Sequence, residues 1–429
     1  MRGLDAWEAL LWAFTPVFNT PSFDIFVKVC GAWVACPGRR TITRLYALAE
    51  PSGERAHDAY HRFFREADWH GRGLWKILAT LLVAAFHHSD VIPLDLDDTL
   101  YHKSGRKVAG AGWWRDAVRS TGTRVVHGFG LNILVLTLRV EPPWGGEPLG
   151  LPVNLRIHLK GGPTLLALAQ EAIRETVAWF PGRSFSVCGD GFFAPLLGAA
   201  FPPEVVLTSR IRRDAAIYDL PPKKRPHTRG APRKKGKRLP TPEGMARQSL
   251  IWRRKTVALR GKTTVRLVYA RTVLWYAVSH SPVLLVICRD PAGKEKDDFF
   301  CTTDIAAAPA RVVETYAGRW SIEDTFKYTK QLLGGETPQS WKKHGPQRAA
   351  ILSFALYSLV WAWYLQTQGN TKTWKVVPWY PLKRSASFAD ALAHLRRTFW
   401  RQRIIASSDK SPVMRKFLKD LIEVVALAV

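Results

Sequence analysis

The chain has 429 residues, 47% of them apolar, which is enough to bury a sizeable core and excludes a disordered chain. Its 63 Lys and Arg against 35 Asp and Glu leave a net charge of +28 along the sequence, so the expected partner is polyanionic, with nucleic acid ahead of anionic membrane. The five cysteines include no CxxC pair and read as reduced core residues, which argues against a disulfide framework or a zinc site.

The opening stretch MRGLDAWEALLWAF lacks the basic n-region and small-residue cleavage site of a signal peptide, and a cytoplasmic protein is expected. Residues 1–90 read as helices over 5–14, 23–35, 41–49, 57–66 and 74–87, with breaks at Pro37-Gly38 and Pro51-Ser52-Gly53. Short helices carrying Arg39, Arg40, Arg44, Arg55, Arg62 and Arg65 suit a helical DNA-binding module, and they suit an ordinary helical bundle too.

From residue 91 the pattern alternates between strands and helices. Strands are predicted at 91–98, 131–140 and 151–159, then an amphipathic helix at 164–180, then short strands at 184–188 and 205–208 with a helix between them. Three strands, a helix, a strand, a helix and a strand is the order of a mixed α/β sheet of the RNase H-like kind. Asp97 and Asp190 fall where two of these strands end, the position at which open α/β sheets place their sites. The Gly189-Asp190-Gly191 run also reads simply as a turn. Asp95, Asp97 and Asp98 on an otherwise apolar strand are harder to explain structurally, because unpaired charge at a sheet centre is strongly unfavourable and a bound cation would offset it.

Residues 91–212 are therefore expected to form the first part of a sheet domain that carries the candidate site, a catalytic domain if those acids act, interrupted at 213–304 by a basic loop and a β-rich insertion. The loop, 223–238, holds nine Lys or Arg and no acid. It reads as a flexible, solvated segment that would track phosphates when nucleic acid is bound. Strands follow at 263–276, 283–289 and 297–303, and Trp252 and Trp275 there suit either a core or a surface for stacking an unpaired base. The catalytic domain resumes at 305–345 with a predicted helix over 316–330, YAGRWSIEDTFKYTK. At about 100° per residue, Tyr316, Arg319, Glu323 and Lys330 share one face of it, with Lys327 beside them. Ile322, Phe326 and Leu333 form the adjacent apolar stripe, so the polar face borders the buried one. An acid among cations suits a phosphodiester with a metal bound to it, although Arg319 and Glu323 also make an ordinary i,i+4 pair. Residues 346–429 read as helical, with the apolar run at 349–365 short for a membrane span and better suited to burial.

Tyr316, Arg319, Glu323 and Lys330 stand at the spacing Y-x2-R-x3-E-x6-K, which resembles that of the DDE transposases of bacterial insertion sequences. LDLDDT resembles the first-Asp motif of those enzymes and selects Asp97 over Asp98, with Thr99 as the matching threonine. VCGDGFF resembles the second-Asp motif and selects Asp190. The GRRTITRLYALAE segment is similar to the N-terminal part of a group known as DDE superfamily endonucleases. The resemblance implies an RNase H-like catalytic domain in which Asp97, Asp190 and Glu323 hold two Mg2+ ions, with Mn2+ as a substitute. It implies that Tyr316, Arg319, Lys330 and Lys327 contact double-stranded DNA. It also implies a transposase acting as a homodimer on transposon ends and target DNA, with no membrane partner. A nuclease of the same fold without strand transfer, and a non-catalytic DNA binder descended from a transposase, are the alternatives.

Overall fold

The computed structural model describes residues 3–105, 107–222, 231–248, 250–368, 374, 376, 378–405 and 412–427. The first half of the predicted basic loop, 223–230, lies outside the described residues. Five helices open the chain: α1 (Gly3–Trp12), α2 (Thr20–Ala35), α3 (Ile42–Ala49), α4 (His57–Arg65) and α5 (Gly71–Phe86). Their starts follow local chemistry: the Asn19 side chain accepts from the Ser22 amide at 3.0 Å and Thr41 caps α3, each satisfying an otherwise orphaned donor.

The sheet then begins with β1 (Val91–His102), β2 (Gly112–Arg115), β3 (His127–Val140) and β4 (Leu149–His158). Next come α6 (Leu165–Ala178), β5 (Ser184–Gly189) and β6 (Val205–Arg210). The helix expected between β5 and β6 is instead a 3-10 stretch, Gly191–Gly198, with Pro195 inside it. Proline has no amide proton to continue an α-helical ladder, which accounts for the difference. β3 pairs antiparallel with β1 and β4, whereas β1 pairs parallel with β5 and β5 with β6. This mixed α/β arrangement is consistent with an RNase H-like fold.

After α7 (Pro242–Ala246) the chain forms β7 (Arg253–Leu259), β8 (Lys262–Val273), β9 (Val283–Arg289) and β10 (Asp298–Thr302). These strands extend the same sheet, because β10 pairs antiparallel with β6 and leads outward through β9 and β8 to β7. Strand β7 has no counterpart in the sequence reading. It is the sheet edge, and the exposed Arg253, Arg254 and Lys255 that hid its pattern are the charges that discourage edge-to-edge pairing.

The remaining helices are α8 (Pro309–Gly318), α9 (Ser321–Gln331), α10 (Gly345–Gln368), α11 (Phe388–Ile405) and α12 (Pro412–Leu427). α10 is long and apolar enough to cross a membrane, but 89% of its apolar window is buried inside the protein. One hydrophobic core runs from Trp7 and Trp33 in the first helices through Leu94 and Leu136 in the sheet to Leu352 and Trp361 in α10. A smaller core joins Val268, Val286 and Phe300 of the outer strands to Val312 and Val313 of α8. All five cysteines are free and buried, and Trp275 is core while Trp252 is half-buried under the Arg289 guanidinium.

Candidate active site

The helix predicted over 316–330 is two helices. Arg319 and Trp320 keep right-handed helical angles, but their amides bond three residues back, to Tyr316 and Ala317, instead of four. The break falls where the chain leaves the small core under α8 for the main core, in which Ile322 and Phe326 of α9 are buried. Thr325 anchors the second helix by donating to the Gly150 carbonyl of β4 at 2.6 Å. Gly150 allows this approach, since a Cβ there would stand 3.0 Å from Ser321 Oγ.

Asp97 lies in β1 one residue beyond Leu96, the last residue of β1 paired with β5, and Leu96 pairs with Gly189. Asp190 follows Gly189 directly and so ends β5, whereas Asp97, expected at a strand end, lies inside β1, which stays paired with β3 as far as His102; only its parallel pairing with β5 stops at Leu96. Asp190 Oδ1 accepts from the Phe192 amide at 2.9 Å, a bond that caps the 3-10 stretch. Glu323 comes from the first turn of α9 with its side chain 43% exposed. Arg319 sits among the acids, with Nη1 at 2.6 Å from Asp97 Oδ2 and 3.9 Å from Glu323 Oε1. Burial pushes Asp97 up to about 8, with Arg319 pulling the other way and Asp190, Glu323 and Asp98 adding to the rise. The charges of Asp190 and Glu323 thus bear on Asp97, and Arg319 stands between Asp97 and Glu323. Strand alternation turns Asp98 to the other face of β1, where burial and then Asp190 push it up to about 6 against a hydrogen bond with Asn132.

Residues 26–282 match the family described as DDE superfamily endonuclease. The chain belongs to that family. The match includes Asp97 and Asp190 and stops before Glu323. A search of the curated proteins found no match.

The sequence reading of this DDE endonuclease treated a bound cation as the counterweight to the β1 acids. For two of them the protein supplies guanidinium groups: Arg319 for Asp97, and Arg139 of β3 for the fully buried Asp95. Arg139 is not among the site residues expected from the sequence. Its signal was an arginine inside the apolar strand LNILVLTLRV, on the same face as Thr137 and Asp95.

The four residues expected to contact DNA are spread around the acids. The Tyr316 ring packs on Phe300 at 4.7 Å with the Arg319 and Arg210 guanidinium groups 5.4 and 5.8 Å from its centre. Lys330 is half-buried, its Nζ 6.0 Å from the Tyr101 ring centre, and Lys327 is exposed beside Tyr328. A cavity of about 770 Å³ opens beside Tyr316 and Arg319, and Arg210, Arg260, Lys262 and Arg266 also line it. Arg319 Nε is buried with no hydrogen-bond partner, so one strong donor beside the acids is unspent.

Among the described residues, no three His, Cys, Asp or Glu side chains stand close enough together to be a ready metal site. The donor set is nonetheless chemically suited to a hard divalent cation, being all carboxylate oxygen and partly buried. A cation there would also favour the ionised form of Asp97.

Proposed function

We propose that this DDE endonuclease is a transposase that cuts transposon-end DNA and joins it to target DNA. What supports the reading is that Asp190 ends β5 beside Asp97 of β1, and that Arg319 reaches Asp97 with Glu323 close by, in a chain of this family. The RNase H-like identity of the sheet, the Tyr-Arg-Glu-Lys pattern and the bacterial insertion-sequence origin belong to the same proposal.

In this reading the three carboxylates hold two Mg2+ ions, for which Mn2+ substitutes. When bound, such ions lower the pKa of an attacking water and stabilise the leaving 3′ oxygen of a phosphodiester. Arg319 neutralises Asp97 until the cleft is loaded, and its guanidinium then turns from Asp97 to a phosphate oxygen. Lys330 holds a second phosphate, Tyr316 borders the DNA backbone, Lys327 adds positive charge at the rim, and the enzyme works as a homodimer on its DNA ends. Residues 1–90 form its helical DNA-binding part, 91–212 with 305–345 its catalytic domain, 213–304 the insertion and 346–429 the helical cover.

The test is Mg2+-dependent cleavage and joining of DNA that carries the sequences flanking the coding region. Asp97→Asn, Asp190→Asn and Glu323→Gln should each abolish both reactions, and EDTA should do the same. Undiminished cleavage by Glu323→Gln would overturn the assignment of the acids. Cleavage without joining would leave an endonuclease, the reading that the family description alone carries.

A further inference from the structure

Asp95 has no exposed surface and stands two residues before Asp97 on the same face of β1. Such a carboxylate is unfavourable unless paired. Its partner, Arg139, grips it with Nε at 2.9 Å and with Nη2. The same Nη2 donates to the Thr315 carbonyl at 2.8 Å. Thr315 lies in the last turn of α8, where carbonyls have no partner inside the helix, so Arg139 caps that helix from the sheet below. Gly318 closes the turn against the guanidinium, and a Cβ there would stand 2.6 Å from Arg139 Nη1. The next residue is Arg319, which reaches Asp97. Two Asp–Arg pairs therefore lie side by side on one sheet face, and the first fixes the helix end from which the second is delivered.

We propose that Arg139, held by Asp95, is a positioning residue: it docks the end of α8 on the sheet and so sets the break at Arg319 and Trp320 that brings Arg319 and Glu323 to Asp97. A buried ion pair by itself is weak evidence for stability or for function. What distinguishes this one is its third bond, to a helix end that leads directly into the cleft. The kinetic side of the inference rests on the proposed function, and the structural side does not.

The experiment uses the full chain and the double variant Asp95→Asn/Arg139→Gln, which removes both charges and leaves no lone buried ion. Hydrogen exchange read by mass spectrometry should show the amides of 316–323 opening about tenfold faster or more, with those of α6 and α10 unchanged. Cleavage of flank-bearing DNA should lose about tenfold or more in kcat with KM within about twofold, because groups are misplaced and no DNA contact is removed. Arg139→Lys, which keeps the charge and loses the fork, should recover part of that loss. Combined with Arg319→Ala, the double variant should cost clearly less than multiplicatively, because only the placing of Glu323 is left to lose, whereas a merely structural pair would lose activity multiplicatively. Unchanged exchange at 316–323, or multiplicative loss with Arg319→Ala, would overturn the proposal. Should Asp95→Asn/Arg139→Gln not fold, Gly318→Ala applies the same two readouts with both charges kept. A wild-type chain inert toward DNA would sink the functional reading, and the exchange comparison would still decide this one.

Discussion

Arg319 Nη1 donates to Asp97 Oδ2 at 2.6 Å across 222 residues of sequence, with side chains only 6% and 15% exposed. The guanidinium thus supplies beside Asp97 the positive charge that a divalent cation would supply in the proposed function. Replacing it by alanine should have two opposite effects. Cleavage should fall by about 10²–10³-fold, as when a preorganised donor to developing phosphate charge is lost. Mg2+ should nevertheless bind more tightly, because its competitor for Asp97 is gone, and the thermal shift produced by Mg2+ should grow. Parallel weakening of binding and cleavage would show that Arg319 helps to hold the ion.

Lys330 is half-buried, and burial lowers its pKa while Glu336, Asp116 and Glu323 oppose the change. A cation held in that setting is suited to a fixed phosphate. Lys330→Ala should weaken DNA binding and reduce the slope of log affinity against log salt by about one unit. Fluorescence anisotropy titrations over a range of KCl concentrations measure this. An unchanged slope would remove Lys330 from the DNA-contacting set.

What the sequence made legible followed from periodicity. Alternation and turn residues located β1, β3, β4 and β5, and a short parallel register then puts Asp190 beside Asp97 with no further information. The apolar stripe of Ile322, Phe326 and Leu333 is buried as its spacing implies. The break after Gly318 was invisible, because both halves share one helical period and its cause is tertiary: two cores and the Arg139 contact to Thr315. The Arg319–Asp97 pair was hidden for a related reason. Helical spacing offered Arg319 a partner in Glu323, yet the buried Asp97 carboxylate lies closer, at 2.6 Å against 3.9 Å.

Glu50 offers a pH-dependent test away from the cleft. Its carboxylate is 5% exposed and accepts from Lys28 Nζ at 3.0 Å and Tyr60 Oη at 2.9 Å, which ties α2, α3 and α4 together. Burial alone would raise its pKa, but those bonds and the charges of Lys28 and Arg55 hold it below the usual value. A depressed folded pKa contributes stability above the unfolded value of about 4.3, and that stability is lost as pH falls through the folded value. Glu50→Gln should therefore cost about 1–3 kcal/mol at pH 7 in urea unfolding. The gap from wild type should close as the pH falls through that depressed folded value. An equal gap at both ends of the range would mean that packing, and not charge, holds this junction.

The N-terminal helices pose the last question, whether residues 1–90 can be removed as a module. Trp33 Nε1 donates to the Leu333 carbonyl at 2.8 Å, and Arg40 donates to Leu332 at 2.7 Å, so α2 and the turn after it secure the end of α9. Arg348 of α10 is 7% exposed and donates to the Trp69 carbonyl at 2.7 Å. Of the arginines that suggested DNA contact, Arg40 is spent on this docking, Arg55 pairs with Asp24, and Arg62 and Arg65 pair with Asp58. Deleting residues 1–90 would strip one side of a shared core and leave the Arg348 guanidinium without the Trp69 carbonyl, a loss far beyond the roughly 5–15 kcal/mol by which domains are stable. The 91–429 fragment should thus be insoluble, or lack a cooperative melt and bind hydrophobic dye. A fragment that melts cooperatively and still nicks DNA with Mg2+ would show instead that the first 90 residues are a separable DNA-binding domain. Arg39 and Arg44, both exposed, would then be the first residues to test for DNA contact.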